Sequence, residues 1–434
     1  MNKCLQPCGP RAWLWREMLG SAQRLAVTSS QPSDAATPAV SAFYDRFPYP
    51  GDPLQDGPPP GYNWRWCVDS VRAVVDGVLP VPAKGQTRRS WRVLDAGCGT
   101  GVSTDYLCHL NPGSAVLAVD ISAGALGVAR ERCRRSGAAA QVSELRIEQC
   151  SLLDLGQEGD FDHINSVGVL HHLKEPQAGL VALAQRLRLG GTLHLFLYAD
   201  GGRWEIQRTQ QALQLLNVGH GEDGLRLGRA LLATLPETNR LRRHHEQRWA
   251  LDTTADANFA DMYLHPQECS YSIDRLMAFT ACSGLSFAGF SNPEVWDPAR
   301  LLEGELLERA QELSDLERWR LMEALDPDIS HFEFFLRRGD QPVALDRSDA
   351  ALLSACFERN RCLWGWPSAS LLGPDLMPLQ LDEAEYALAQ ACDQAPGQPL
   401  GVLPLELDAA ARCRLMRQLL DKRVLHQLTA AASG

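Results

Sequence analysis

The chain has 434 residues, 45% of them hydrophobic and 22% charged, with a formal net charge of −11. This length buries a large core and allows more than one domain, while the acidic balance argues against a nucleic-acid-binding protein, which is usually basic. No apolar run reaches the roughly 20 residues of a membrane span. The 13 cysteines lack metal-like spacing, so we expect no metal and reduced thiols in a cytoplasmic protein.

The first 90 residues divide into three predicted parts. Residues 1–40 are expected to form a poorly ordered leader, although their arginines and few acids leave a targeting segment open. From Ser41, in FYDRFPYPGDP, prolines and aromatic residues alternate, which predicts neither helix nor strand. We expect residues 41–90 to contain a lid over a ligand, followed by a helix in CVDSVRAVVDGVLP.

Short apolar runs alternate with helical stretches between Trp91 and Tyr198. The predicted strands are, in chain order, WRVLD, AVLAVD, LRIEQC, FDHINSV and TLHLFLY. The predicted helices between them are VSTDYLCHL, AGALGVARERCRRSG and PQAGLVALAQRLRLGG. Strand–helix–strand repetition with short connections is typical of a parallel sheet covered by helices on both faces. The fold class is therefore α/β, with a Rossmann-like, doubly wound, mainly parallel sheet.

Two further strands follow a long helical stretch. They are LSFAGF at 285–290 and HFEFFLRR at 331–338, with acidic helical sequence between them. This arrangement predicts a core domain over 91–338, with a helical cap insertion at about 200–284. The sequence from 339–434 is richer in proline and carries two helical patterns, which indicates a small, mostly helical C-terminal domain.

The stretch RVLDAGCGTG is the part of the sequence that points most specifically to a binding site. A strand ending at Asp95 must turn into a helix, and Gly97 and Gly99 permit backbone angles that other residues resist. Gly101 lets the helix pack closely. Asp120 ends the next strand, where a carboxylate is placed to bind a ribose diol. Ligands of open parallel sheets bind at this carboxyl edge, so we expect a nucleoside cofactor there.

Two cofactor classes fit this geometry. A dinucleotide site has the pattern G-x-G-x-x-G, but here Val102 stands where the last glycine would be. The observed D-x-G-x-G-x-G instead resembles the signature of class I S-adenosylmethionine-dependent methyltransferases, in which the turn backbone meets the methionine end of the cofactor. A nicotinamide dehydrogenase is the less favoured alternative.

The resemblance covers roughly Trp91 to Tyr198 and, more loosely, continues to Arg338. It implies S-adenosylmethionine as cofactor and methyl transfer as activity. The residues that it implies in cofactor binding are Asp95, Gly97, Cys98, Gly99, Gly101, Asp120, Ile121, Ser151, Leu152, Ser166 and Val167. One position departs from the family, because Ser151 stands where an aspartate commonly binds the adenine amino group. A hydroxyl accepts that hydrogen bond more weakly than a carboxylate, and Asp154 is a possible substitute.

The core motif does not identify a catalytic residue, because the methyl donor is already activated and the enzyme mainly aligns the acceptor and excludes water. A general base helps when the acceptor is a hydroxyl, an amine or an acidic carbon. The candidates are His171 and His172 after the fourth strand, His265 in the cap, and Tyr44, whose ring would suit a sulfonium. Structural roles stay open for each, including a turn fixed by Pro266.

The acceptor is expected to be a small molecule or a protein side chain rather than nucleic acid, given the acidic charge. NSVGVL also stands where methylases of planar amino groups carry an Asn-Pro-Pro-Tyr-type motif. The alternative from another class is a regulatory or scaffold protein that binds S-adenosylmethionine without turnover, and Ser151 is the feature that points to it. The oligomeric state is not predicted.

Overall fold

The computed structural model describes residues 36–429, apart from 62, 82–88, 156–160, 341 and 343–344. The predicted leader lies outside the described residues up to position 35. From Ala36 onward the chain forms one compact unit. Among the described residues, no helix combines the length and the apolar character needed to cross a bilayer.

The helices and strands of the first half of the chain closely follow the predicted pattern. They are α1 Ala36–Arg46, α2 Val68–Asp76, β1 Arg92–Ala96, α3 Val102–Leu110, β2 Ala115–Asp120, α4 Ala123–Ser136, β3 Glu144–Gln149, β4 Phe161–Val167, α5 Pro176–Arg186 and β5 Leu187–Tyr198. The second half is mainly helical. Its elements are α6 Trp204–Leu215, α7 Glu222–Thr234, α8 Arg240–His244, α9 Asp256–Leu264, α10 Ile273–Ala281, β6 Ser286–Phe290, α11 Gly304–Gln311, α12 Asp315–Leu325, β7 His331–Arg337, α13 Asp349–Ser354, β8 Phe357–Arg359, β9 Ser370–Leu372, β10 Pro378–Gln380, α14 Glu383–Gln394, α15 Ala409–Asp421 and β11 Leu425–Gln427.

Seven strands form one sheet in the order β3-β2-β1-β4-β5-β7-β6. The first five are parallel, and β7 lies antiparallel to both β5 and β6. The chain moves outward from β1 to β3, then returns to add β4 on the other side. The order therefore reverses between β1 and β4, and ligands of such sheets bind outside the carboxyl ends of these strands. This architecture confirms the predicted α/β, Rossmann-like class.

The prediction that residues from Ser41 form neither helix nor strand is wrong for the first of them. Helix α1 continues to Arg46, because no proline interrupts the chain between Pro38 and Pro48. Phe43 and Phe47 are buried against residues of α6, α7 and α9. These two side chains pack α1 against α6, α7 and α9. The local sequence pattern does not reveal this packing, because the partners are distant in the chain.

The predicted helix that begins at Pro176 was too long by five residues. It ends at Arg186, and Leu187 already pairs with Phe161 in the sheet. Gly190 has a φ of +77°, a value that interrupts a helix and favours glycine. The five residues thus form an irregular start to β5 rather than a last helical turn.

The C-terminal residues have a hydrophobic cluster of their own, drawn from Leu352 to Leu425. Two short antiparallel pairs, β8 with β11 and β9 with β10, accompany its helices. This part also contacts the N-terminal half, since Leu79 N–H donates to the Gln427 carbonyl at 2.8 Å. The boundary at residue 339 stays a prediction.

Candidate active site

The glycine turn joins β1 to α3. Gly97, Gly99 and Gly101 have φ values of +83°, +51° and +81°, in the left-handed region that glycine adopts without a steric penalty. The N–H groups of Gly97 and Cys98 both donate to the Val119 carbonyl, at 2.8 and 3.0 Å. The turn is therefore tied to the end of β2, beside the expected position of a nucleoside.

Asp95 lies buried beneath this turn. One carboxylate oxygen accepts hydrogen bonds from the Ser103 and Thr104 hydroxyls at 2.7 and 2.6 Å, and the other accepts from the Asn165 amide at 2.8 Å. Burial raises the pKa of Asp95, and these three bonds oppose the rise. Asp95 thus fixes the first turn of α3 against β4, so we expect its contribution to cofactor binding to be positional.

A buried polar path continues from Asp95 across the sheet. The side-chain Oδ1 of Asn165 lies 2.9 Å from His194 Nδ1, and His194 Nε2 lies 3.0 Å from a carboxylate oxygen of Glu333. The other oxygen of Glu333 is 2.7 Å from Arg65 Nε. Burial alone would raise the pKa of Glu333, but the bond from His194 and the nearby Arg65 lower it to about 2. Glu333 is therefore ionised, and its negative charge faces the positive charge of Arg65 at the end of this path.

Asp120 lies at the end of β2, next to the turn. Its two carboxylate oxygens accept hydrogen bonds from Gly99 N–H and Ser122 N–H, each at 2.9 Å. Burial raises the pKa of Asp120, and these backbone donors oppose the rise. Each carboxylate oxygen has a second lone pair, so the oriented group can still accept two ribose hydroxyls.

The other predicted cofactor residues lie at the same edge of the sheet. Ile121 follows β2, Ser151 and Leu152 follow β3, and Ser166 and Val167 end β4. The Ser151 hydroxyl accepts a hydrogen bond from Leu153 N–H at 3.2 Å. The Ser166 hydroxyl is fully buried and has no partner among the described residues. The fold thus brings all of them to the carboxyl edge of the sheet.

The N-terminal segment, defined as residues 41–53, covers the turn. The Tyr49 carbonyl accepts from Thr100 N–H at 3.0 Å, and the Thr100 hydroxyl donates to the Pro50 carbonyl at 2.8 Å. A Cβ atom added to Gly99 would lie 2.3 Å from the Tyr49 carbonyl oxygen. The bare backbone that we expected to face a ligand at Gly99 therefore faces the protein's own main chain, because this segment packs directly on the turn.

Two further contacts hold the N-terminal segment in place. Asp45 accepts hydrogen bonds from the Ser122 hydroxyl at 2.7 Å and from Gly124 N–H at 2.9 Å, at the start of α4. These bonds lower the pKa of Asp45. Arg132 donates to the Asp52 carbonyl at 2.8 Å. The segment is thus anchored to α4 and its N-cap at two points, near its start and near its end.

A group of polar side chains lies beneath the N-terminal segment, beyond the ends of β4 and β5. This polar cluster consists of Tyr44, which the N-terminal segment itself contributes, and of His172, Asp261 and His265. The Tyr44 hydroxyl donates to Asp261 at 2.8 Å, and the two histidine rings are 3.8 Å apart between centroids. One nitrogen of each ring and one oxygen of Asp261 all lie within 4.8 Å of one another. Sequence reasoning named three of the four members as candidates and missed Asp261.

Backbone hydrogen bonds of Gln267 set the tautomers of the two histidines. His172 Nδ1 lies 3.0 Å from the Gln267 carbonyl, which can only accept, so Nδ1 bears a hydrogen, and the neutral form of the ring has its lone pair on Nε2. Gln267 N–H donates to His265 Nδ1 at 3.1 Å, so His265 bears its hydrogen on Nε2. Burial lowers the pKa of His265 well below its usual range, which keeps the ring neutral.

These tautomers decide between two chemical uses of the cluster. By distance alone, the two histidines and Asp261 would suit a divalent metal ion. A metal needs a lone pair from each ligand, however, and His265 Nε2 bears a hydrogen that has no acceptor among the described residues. The pair therefore presents one hydrogen-bond acceptor and one donor.

His171 and Tyr198 form a layer behind the cluster. Their rings stack with centroids 3.8 Å apart, and the Tyr198 hydroxyl lies 3.4 Å from Asp261. Burial lowers the pKa of His171 well below its usual range. Arg203, over the Tyr198 ring at 3.4 Å, pairs with Glu268 at 3.2 Å. His171 thus packs as a neutral ring between Tyr198 and His172, with its centroid 4.2 Å from that of His172.

Comparison with known proteins agrees with this geometry. Residues 94–193 match a family model described as a methyltransferase domain. A ubiquinone biosynthesis O-methyltransferase of Xanthomonas euvesicatoria is 32% identical over 161 residues, which are 36% of this chain and 62% of that protein. The structure of PKMT2 from Rickettsia typhi in complex with AdoHcy aligns with a TM-score of 0.57 at 16% identity, covering 86% of this chain and 78% of that chain, and shows the shared fold.

The sheet, the glycine turn and the methyltransferase model together define a class I S-adenosylmethionine-dependent methyltransferase, an enzyme with S-adenosylmethionine as its cofactor. Within this class the chain belongs to the family of a Synechococcus protein, uncharacterized protein syc1184_c, to which it is 48% identical over 398 residues. That alignment covers 90% of this chain and 93% of the relative.

Proposed function

We propose that the enzyme methylates a small-molecule acceptor that enters beside the polar cluster. In this arrangement S-adenosylmethionine lies in the crevice at the carboxyl ends of β1, β2 and β4. Asp120 holds the ribose, and the backbone from Gly97 to Gly101 holds the methionine end. Ser151 and Leu152 contact the adenine, and Ser166 and Val167 lie beside the sulfonium.

The observation that carries this proposal is the polar cluster beside the covered turn. His172, Asp261 and His265 are 5%, 4% and 7% exposed, although each has a polar side chain whose burial is unfavourable without a partner. Tyr44 and Tyr49, whose rings are 6.4 Å apart, connect the cluster to the segment that covers Gly99. A polar site so enclosed favours a narrow acceptor over a folded macromolecular surface.

Two further points support a small acceptor. The net charge of −11 disfavours nucleic acid. The Xanthomonas relative is an O-methyltransferase of ubiquinone biosynthesis by name, and that description concerns a small molecule.

Transfer of a labelled methyl group tests the proposal. The protein is incubated with S-adenosylmethionine labelled in its methyl group and with a cell extract separated into dialysable and protein fractions. We expect label and S-adenosylhomocysteine to appear with the dialysable fraction. Asp120→Ala serves as the control, since it leaves the polar cluster intact and removes the ribose ligand. Label confined to the protein fraction would contradict the small-molecule acceptor.

A further inference from the structure

We propose that the acceptor is a hydroxyl compound methylated on oxygen, and that His172 and His265 together bind this hydroxyl group. The inference deepens the proposed function and rests on it, since it names the chemical class of the acceptor for the same site. It is based on the hydrogen-bond donor and acceptor groups that the polar cluster offers to a ligand.

The two histidines, whose ring centroids are 3.8 Å apart, offer complementary hydrogen-bonding groups. In its neutral form His172 offers a lone pair on Nε2, because Nδ1 donates its hydrogen to the Gln267 carbonyl. His265 Nε2 offers an N–H group, because its Nδ1 accepts from Gln267 N–H. A single backbone residue thus fixes both tautomers. The His265 N–H is buried and has no acceptor among the described residues, so it lacks the partner that buried donors normally have.

A hydroxyl group can form hydrogen bonds with both histidines and still keep a lone pair that attacks the methyl group. It has one hydrogen and two lone pairs on oxygen. The hydrogen is donated to His172 Nε2, one lone pair accepts from His265 Nε2–H, and the second lone pair attacks the methyl group. All three functions of the oxygen are therefore used at once.

An amine does not satisfy the same pair. A neutral amine nitrogen has one lone pair, which must attack the methyl carbon, so the His265 N–H stays unpaired. An ammonium ion has no lone pair at all. Leaving a buried donor unpaired costs about tenfold to a hundredfold in transition-state binding. The tautomers of the two histidines thus favour an oxygen acceptor over a nitrogen acceptor.

The transfer step balances with the groups present. The acceptor oxygen forms a bond to the methyl carbon as the carbon–sulfur bond breaks, and the electron pair of that bond stays on sulfur. The products are a methyl ether and uncharged S-adenosylhomocysteine, and the hydroxyl proton goes to His172 Nε2. Asp261 is a positioning residue: held by the Tyr44 hydroxyl at 2.8 Å, its carboxylate lies beside the imidazolium that forms.

The test identifies the atom that receives the methyl group, whichever compound the acceptor is. Full-length protein is incubated with S-adenosylmethionine carrying a ¹³C methyl group and with the dialysable fraction of a cell extract, and products are examined by ¹H–¹³C correlation NMR. O-methyl, N-methyl and S-methyl groups have distinct carbon shifts. We expect new O-methyl signals. Signals confined to N-methyl or S-methyl groups overturn the hydroxyl class but leave methyl transfer intact, whereas absence of any labelled product overturns the proposed function as well.

Variants of His265 test its role in binding the hydroxyl. With the O-methylated product as readout, His265→Phe removes the N–H donor and should lower kcat/KM by about tenfold to a hundredfold. His265→Gln retains an N–H donor and should recover part of that loss, which a merely structural role would not predict. The control is His220→Gln, because exposed His220 bonds the nearby Leu264 carbonyl at 2.7 Å outside the cluster. Equal activity of the Phe and Gln variants, at unchanged affinity for S-adenosylhomocysteine, would contradict the proposal.

Discussion

Replacing Gly99 by alanine tests whether the N-terminal segment is held by direct contact with the glycine turn. The added Cβ would lie 2.3 Å from the Tyr49 carbonyl oxygen, whereas carbon–oxygen contacts are normally about 3.3–3.6 Å. Tyr49 and Pro50 must therefore move by about 1 Å. That movement breaks the hydrogen bonds that Thr100 makes to both carbonyls, at 3.0 and 2.8 Å.

The expected loss has two parts. Two hydrogen bonds contribute about 1–3 kcal/mol in total. Alanine at a φ of +51° adds about 1–2 kcal/mol for the left-handed backbone. Gly113→Ala is a matched control for the second part alone, because Gly113 has a φ of +80° and a Cβ there meets nothing within 4 Å. The two variants should therefore differ by about 1–3 kcal/mol.

Urea-induced unfolding measures the free energy of unfolding of both variants, and titration calorimetry measures their affinity for S-adenosylhomocysteine. We expect Gly99→Ala to be the less stable variant and to bind the nucleoside at least tenfold more weakly, since the displaced segment no longer covers the crevice. Gly113→Ala should bind like the native protein. Equal stability losses and native affinity in both variants would refute the packing of the segment on the turn.

Three other perturbations have defined outcomes. Asp120→Ala should weaken S-adenosylhomocysteine binding by about 1–3 kcal/mol in calorimetry, because the ribose loses a charged partner; unchanged affinity would show that the ribose lies elsewhere. Burial lowers the pKa of His163 to about 3, so between that pH and about pH 6.5 only the unfolded chain binds a proton there. This binding favours the unfolded chain. The free energy of unfolding is therefore highest above pH 6.5 and decreases as the pH falls. Between pH 6.5 and 5.5 the native protein should therefore lose about 1 kcal/mol more in urea unfolding than His163→Gln, and equal losses would show that His163 does not titrate in this way. Glu333→Gln removes the nearer carboxylate beside buried Arg65, at 2.7 Å, and leaves Asp375 at 3.6 Å; it should cost about 3–5 kcal/mol of stability, whereas a loss below about 1 kcal/mol would indicate that Asp375 alone balances Arg65.

The cofactor crevice could be predicted from the sequence because its signals are local. The three glycines and Asp95 lie within seven residues, and their order alone predicts a strand, a turn and a helix. Asp120 ends the next strand, and parallel strands bring such ends together. These short-range patterns predicted both the fold class and the cofactor, which the structure and the comparisons confirm.

The acceptor side depends on contacts between distant parts of the chain. Asp261 and Tyr44 are separated by 217 residues and meet only because α1 and α9 share a buried cluster. The tautomers of His172 and His265 depend on the backbone of Gln267, which no side-chain motif reveals. The local sequence offers only the short separation of Asp261 and His265, since Asp261 lies in the last turn of α9 and His265 follows the helix directly.

The account depends most directly on where the nucleoside binds. A crystal structure of the protein with S-adenosylhomocysteine tests this in one measurement. We predict electron density in the crevice, with both ribose hydroxyls at hydrogen-bonding distance from the Asp120 carboxylate and the homocysteine portion along Gly97 to Gly101. Density for the nucleoside at any other place, or an unchanged crevice at saturating concentration, would contradict the central claim.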